Sequence, residues 1–325
     1  MSKKIGIDLG SSKVRISTNK DGIVINESST VAVEIDTKQI IKVGKEAEDM
    51  IGRTPGKIRA IKPIKNGVID DFELTEGLIS TFFKDKTLHA GLSRPIIMFT
   101  YPSGVTEVAK NALIELGDTL GAKEVILKEK SLIAAYGLDM DLEKPIANMI
   151  VDIGYGLTEI AIISLNDIVI SNSIKIAGRS FNEDIKKYIK TKYKLLIGEK
   201  TTENIKRTIG CVYKTKEEET MEIKGRNLIS GLPNSTNISS KEIKEAIKDS
   251  VDQIVKSIKT ILEKTPPELS ADIVDKGMIL SGGSSELKGL SELLEEKLQI
   301  PVLEADNNKT TIADGFIKYF STQKL

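Results

Sequence analysis

One pattern constrains the fold of this 325-residue chain more than any other: a stretch of sequence occurs twice. Residues 5–25 read IGIDLGSSKVRISTNKDGIVI, and residues 150–170 read IVDIGYGLTEIAIISLNDIVI. Each copy is an apolar strand ending in Asp-x-Gly, a small-residue turn, a second strand, a polar turn and a third strand. The polar turns, Asn19-Lys20-Asp21-Gly22 and Leu165-Asn166-Asp167, suit hairpin loops. A strand–turn–helix pattern also recurs, as EVILKEKSLIAAYG at 124–137 and GMILSGGSSELKGLSELLEEKL at 277–298. Strands alternate with helices throughout. The expectation is an α/β chain made of two halves on one plan.

Two insertions interrupt that plan. The first, about residues 30–70, carries alternating Val31, Val33 and Ile35 and the turn-rich GRTPGKIRAIKPIKNG. The second spans about 180–245. A helix begins there near Phe181, with Phe181, Ile185, Tyr188 and Ile189 on one face. A further helix covers TTENIKRTI, and strand-like MEIKG follows. Ser239 and Glu242 then form a capping box. It opens a helix with Ile243, Ile247, Val251, Ile254, Ile258 and Ile261 along one core-packing stripe, ended by Pro266 and Pro267. The domains expected are 1–145 and 146–325, with the segment at about 310–325 returning to pack on the first.

Composition narrows the function. Lys and Arg balance Asp and Glu at 47 each. Such a chain lacks the basic excess that general nucleic-acid binding needs, so no nucleic-acid partner is expected. One cysteine, Cys211, excludes an internal disulfide and any multi-cysteine metal site, and suits a small core position. One histidine, His89, in a polar stretch, excludes histidine-rich metal sites and a histidine-centred triad. No segment reaches the roughly 18 continuous apolar residues of a membrane span. MSKKIGIDLG enters a strand at once, so neither a signal peptide nor an N-terminal amphipathic anchor is expected. A cytoplasmic location is expected.

The repeats carry the chemistry. Asp8 and Asp152 end apolar strands, where open α/β sheets place ligand-binding groups. Two carboxylates facing one cleft could hold hydrated Mg²⁺, which favours a few oxygen ligands plus waters and phosphates. Gly10-Ser11-Ser12-Lys13 and Gly154-Tyr155-Gly156-Leu157-Thr158 are turns whose backbone N–H groups can wrap phosphate oxygens. Gly282-Gly283-Ser284 precedes a helix and could flank a sugar or an α-phosphate. A lone Asp-x-Gly is usually only a turn. Two in register, with a glycine pair at a third place, point to a phosphate cleft between similar halves. Neither the P-loop GK[ST] nor the Rossmann G-x-G-x-x-G is present.

These features resemble the superfamily of actin, heat-shock chaperones and sugar kinases, and in detail the bacterial actins of the MreB family. GRTPGKIRAIKPIKNGVIDDFELTE at 52–76 is similar to a long stretch of that family. So are VTEVAKNALIE, DIGYGLTEIAIISLNDIVIS and YKLLIGEKTTENIK at 193–206. The likeness spans essentially the whole chain. It implies a duplicated, ribonuclease H-like, two-lobed actin fold with ATP or ADP in the cleft between lobes. Asp8 and Asp152 would organise Mg²⁺, while Ser11–Lys13 and Gly154–Leu157 would hold the β- and γ-phosphates. Glu203 and Lys206, otherwise a solvated charged pair, match positions contacting ribose and adenine, and Gly282–Ser285 matches the glycine turn beside the nucleotide.

The same resemblance implies a homopolymer: cytoskeletal filaments supporting cell shape or movement, with other bacterial actin paralogues as further partners. A small-molecule kinase or a chaperone-type ATPase is the alternative on this superfold. The family's hydrophobic loop in the first lobe corresponds to Leu88-His89-Ala90-Gly91-Leu92, so at most a weak contact with the inner face of the membrane is expected through Leu88 and Leu92. The departures fit a specialised paralogue of the kind found in wall-less bacteria. Where the family reads Glu-Glu-Pro, this chain reads Glu129-Lys130-Ser131, which puts Lys130 at the water-positioning place. Tyr155 and Leu157 replace a glycine and a hydroxyl residue in the second turn. Slow ATP hydrolysis is therefore expected, making the chain at most a weak ATPase.

Overall fold

The computed structural model describes residues 3–54, 56–86, 88, 94–214 and 217–322, apart from the side chain of Asp85. The first repeat forms β1 (Lys4–Leu9), β2 (Lys13–Thr18) and β3 (Gly22–Ser28). The insertion after it holds β4 (Val31–Glu34), β5 (Ile40–Val43), α1 (Gly44–Asp49), β6 (Ile58–Ile61), β7 (Ile64–Lys65) and β8 (Val68–Ile69). Then come α2 (Phe72–Asp85), β9 (Ile96–Tyr101), α3 (Glu107–Thr119), β10 (Glu124–Glu129) and α4 (Lys130–Gly137). The second repeat forms β11 (Asn148–Ile153), β12 (Thr158–Ser164) and β13 (Asp167–Ile174). It is followed by α5 (Gly178–Tyr193), β14 (Leu195–Leu196), α6 (Glu199–Ile209), β15 (Thr220–Asn227), β16 (Pro233–Ser239) and α7 (Ser240–Lys264). The chain ends with α8 (Pro267–Lys276), β17 (Met278–Ser281), α9 (Leu290–Leu298), β18 (Val302–Glu304) and α10 (Thr311–Thr322).

The duplication is visible in the sheets. One has the order β10-β9-β1-β2-β3 and the other β13-β12-β11-β17-β18. In the first sheet β1 pairs antiparallel with β2 and parallel with β9, so a hairpin is joined to crossover-linked strands. In the other, β11 pairs parallel with β17. The tight turn before β13 is made by Leu165 and Asn166, both at positive φ (51° and 60°). That conformation suits a two-residue hairpin.

Contacts divide the chain into Met1–Ile146 with Ala161–Ser173 and Lys309–Leu325, and a second unit of Ala147–Ile160 with Ile174–Asn308. The first has a core of strand residues such as Ile5, Ile7 and Ile97 packed under Leu78, Phe82 and Phe83 of α2. Helix α10 belongs to it. Ser17 Oγ donates to Ala313 O at 2.9 Å, and Tyr136 of α4 meets Tyr319 edge to face at 5.2 Å. In the second unit α7 opens with the capping box of Ser239 and Glu242 and buries the whole isoleucine and valine stripe from Ile243 to Ile261. Its C-cap is Thr265, and Pro267 starts α8. Cys211 is buried, as a small core residue should be.

One expectation is corrected. Leu88 is only 3% exposed and belongs to the core of the first unit, so it is not a lipid-facing residue. An apolar side chain already removed from water gains nothing from lipid. His89 and Leu92 lie outside the described residues. No helix among the described residues is long and apolar enough to cross a membrane.

Candidate functional site

In the first unit the hairpin register places Asp8 opposite Arg15. Asp8 is buried, with Arg15 Nη1 at 3.4 Å from Oδ2 and Lys130 Nζ at 3.6 Å from Oδ1. Lys130 is the first residue of α4, so the strand-to-helix step after β10 delivers its ammonium to the end of β1. Asp8 thus has a cation at each oxygen, and a Mg²⁺ bound directly to it would have to displace Lys130. Next to it, Glu129 Oε2 accepts from Ser171 Oγ at 3.3 Å. Burial raises the Glu129 pKa, against the opposing effects of that hydroxyl and Lys110.

The turn itself is tight. A Cβ on Gly10 would lie 2.6 Å from Lys13 O, so the chain reverses there only without a side chain. Ser11 Oγ accepts from Gly67 N–H at 3.2 Å, tying the turn to the β7–β8 loop while leaving its own O–H to donate. Ser12 O accepts from Ser29 N–H. The backbone of Gly10–Lys13 is therefore held from both sides.

In the second unit the matching turn closes by Gly154 N–H donating to Leu157 O at 3.0 Å. It is docked on the N-terminus of α5: Gly178 N–H donates to Gly154 O and Arg179 N–H to Tyr155 O. A Cβ on Gly178 would run into Ser284 Oγ and come within 3.4 Å of Gly154 O, so this glycine lets three segments meet. Gly282, at φ 91°, lies where a Cβ would be 2.7 Å from Asp152 Oδ1. Ser284 N–H donates to Ile153 O, which fixes the Gly282–Ser285 turn against the end of β11. Two candidates are structural in their side chains. Thr158 is fully buried and its hydroxyl donates to Ile176 O at 2.7 Å. Ser285 Oγ donates back to Gly282 O at 2.7 Å. Both hydroxyls hold loops in place instead of facing a ligand.

Glu203 and Lys206, one helical turn apart on α6, form a 2.8 Å ion pair. Lys206 is buried and also donates to Gly178 O at 3.2 Å, with its ammonium 6.0 Å from the Tyr155 ring centre. Burial alone would raise the Glu203 pKa. The Lys206 charge and hydrogen bonds from Lys206, Asn182 and Arg207 outweigh it and hold the group at about 2. Its contribution to stability is present above the ordinary carboxylate range and is lost only as pH falls toward about 2. Tyr155 Oη donates to Glu199 at 3.0 Å, and burial with that carboxylate raises the phenol pKa.

The second unit thus gathers Asp152, Gly154–Leu157, Glu203, Lys206 and Gly282–Ser285 around the start of α5. The first gathers Asp8, Gly10–Lys13 and Lys130. Sequence reasoning missed Arg15, although a hairpin centred on Ser11 and Ser12 makes it the cross-strand neighbour of Asp8. It also missed Gly178 and Asn182, for which no sequence signal exists. Among the described residues no cluster of three or more metal-ligand side chains occurs. Asp8 and Asp152 each carry oxygen donors of the kind that Mg²⁺ takes, and they are the candidates for such an ion.

The sequence profile described as MreB/Mbl protein matches residues 2–325. The cell shape-determining protein Mbl of Bacillus cereus is 46% identical over 313 residues, covering 96% of this chain and 94% of Mbl. The cell shape-determining protein MreB of Escherichia coli K12 is 40% identical over 319 residues, covering 97% and 92%. Among solved structures, MreB 5 of Spiroplasma citri bound to AMPPNP superposes with a TM-score of 0.94 at 36% identity, covering 99% of this chain and 97% of that one.

Proposed function

The chain belongs to the MreB/Mbl family of actin-like, cell shape-determining proteins, and from that premise we propose that it is an ATP-binding cytoskeletal protein that assembles into filaments. The observation that carries this reading is the likeness along the whole chain to cell shape-determining proteins. A small-molecule kinase or a chaperone-type ATPase is not favoured, since fold alone would permit them but the relatives do not point there. Its partners are further copies of itself and, as paralogues, other bacterial actins, in the cytoplasm. Stacking one end of a subunit on the opposite end of the next is heterologous and open-ended, which gives a filament and not a ring.

The nucleotide reading follows from the turns. Gly10–Lys13 and Gly154–Leu157 bind the β- and γ-phosphates through backbone N–H groups, Ser11 and Ser12 hydroxyls, and the Lys13 charge. Glu203 and Lys206 grip the nucleoside, and Gly282–Ser284 flanks it. Mg²⁺, when bound, would neutralise phosphate charge, and Asp152 and Asp8, the latter held by Arg15 and Lys130, would be the carboxylates that hold it through its waters. Hydrolysis is slow, because Lys130 has donors only and cannot orient an attacking water by accepting from it.

Purified protein should pellet with Mg-ATP and show straight protofilaments in negative stain. Sedimentation that stays monomeric across salt, nucleotide and protein concentration would overturn the filament reading. Calorimetry without metal-dependent nucleotide binding would remove the nucleotide reading.

A further inference from the structure

Glu203 is more constrained than an α6 surface residue needs to be, and its hydrogen bonds define what it has left to offer. Oε2 accepts from Asn182 Nδ2 and from Lys206 Nζ, each at 2.8 Å. Oε1 accepts from Arg207 Nε at 2.7 Å. An ionised carboxylate has about four acceptor sites, two on each oxygen. Oε2 is therefore full, and Oε1 keeps one.

Asn182 is the buried anchor of this arrangement. It is 6% exposed on α5, and its Oδ1 is buried without a hydrogen-bond partner. An orphaned buried acceptor destabilises the fold, and a leucine of similar size would avoid that penalty. The amide is kept for its donor side, which faces Glu203. Rotating the amide would set its oxygen against the carboxylate, so the orientation follows from charge. Lys206, held at Gly178 O, blocks the remaining approach to Oε2. Arg207 is exposed and closes one side of Oε1 from solvent.

We propose that Asn182, with Arg207, is a positioning residue that fixes Glu203 so that one acceptor site on Oε1 reads a single ribose hydroxyl of the bound nucleotide. This rests on the nucleotide reading above and extends it: affinity becomes dependent on the sugar, and two residues outside the phosphate turns set that dependence. The hydroxyl donates its proton to an acceptor already stripped of alternatives, so removing it leaves a charged oxygen without its partner.

The test is calorimetry on the full chain with Mg-ADP, Mg-2′-deoxy-ADP and Mg-3′-deoxy-ADP. Wild type should bind one of the two deoxynucleotides about tenfold more weakly than ADP, the effect of a lost hydrogen bond to a charged group. The other deoxynucleotide identifies which hydroxyl is read. In Asn182→Leu the ADP affinity should fall to within about threefold of that deoxynucleotide, whose own affinity stays unchanged. Arg207→Ala, an exposed change that leaves the fold intact, should shrink the same ratio by a smaller factor. Equal wild-type affinity for all three nucleotides would overturn the proposal and leave nucleotide binding standing. So would an Asn182→Leu loss that is the same for all three, since that is the mark of a merely structural role. A wild type that binds none of them removes both readings.

Discussion

The two Asp-x-Gly turns have one backbone plan and opposite surroundings. In each, a glycine sits against the carbonyl three residues on, with a Cβ 2.6 Å from Lys13 O at Gly10 and 3.2 Å from Leu157 O at Gly154. In the first, Asp8 lies between Arg15 and Lys130. In the second, Asp152 lies beside the Gly282 turn, and Tyr155 reaches outward to Glu199. Duplication has kept the geometry that presents N–H groups while the charges have diverged. The first turn is built around neutralising cations, and the second is docked on the start of α5. That asymmetry can be tested by making the same change on both sides.

The largest difference should come from the aspartates. Asp8→Ala leaves two mostly buried cations without their shared carboxylate, and breaking such a pair costs about 3 kcal/mol. Asp152→Ala should cost less stability and instead weaken the metal-dependent part of nucleotide binding. Urea unfolding read beside calorimetry separates the two. Equal losses of stability would break the comparison.

The glycines come next. Gly10→Ala must push Lys13 O aside and should cost about 2 kcal/mol, whereas Gly154→Ala needs a shift of tenths of an ångström and should cost under about 1 kcal/mol. Thermal unfolding midpoints decide it, and the reverse order would mean that the first turn is the looser one.

Lys130→Glu tests the chemistry of the first turn. A glutamate there could accept from the attacking water, which lysine cannot do. Phosphate release under polymerising conditions should rise tenfold or more, alone or with Leu157→Thr, a barrier change of at least about 1.4 kcal/mol. A wild type already as fast as the double variant would contradict slow hydrolysis. The pairing with Asp8 sharpens the expectation, because the variant places a carboxylate beside a carboxylate and should be less stable than wild type.

What could be read from sequence was whatever repeats or runs in register. The hairpins, the α7 stripe and its capping box depend on local spacing, and the structure reproduces them. The side chains that complete the site are set by contacts between distant segments. Asn182 reaches Glu203 across two helices, and Gly178 is required because Ser284 and Gly154 arrive from other segments. Leu88 looked like a lipid contact because it falls where the family has a hydrophobic loop, yet it is part of the core of the first unit. Thr158 looked like a phosphate ligand because it ends a glycine turn, yet the alternation of β12 turns its hydroxyl inward to Ile176.

The smallest effect should separate the hydroxyls that tether each turn. Ser11 Oγ accepts from the Gly67 N–H, and Ser11→Ala leaves that partly buried donor unmatched, costing about 1 kcal/mol. Tyr155→Phe removes a donor to Glu199, a carboxylate that water can still reach, so the loss should be nearer ~0.5 kcal/mol. The tyrosine has a second signature. Its folded-state pKa is raised above the ordinary 10, first by burial and then by Glu199, so the protonated phenol is the form that the fold favours. That contribution is complete below pH 10 and is lost as pH climbs through the raised value. The stability gap between wild type and Tyr155→Phe should therefore stay constant from neutral pH to about 10 and narrow above it. Serine does not titrate in this range, so the gap between wild type and Ser11→Ala should show no such pH dependence. A Tyr155→Phe gap that widens in alkali would mean that the phenolate, not the phenol, is held at the second turn.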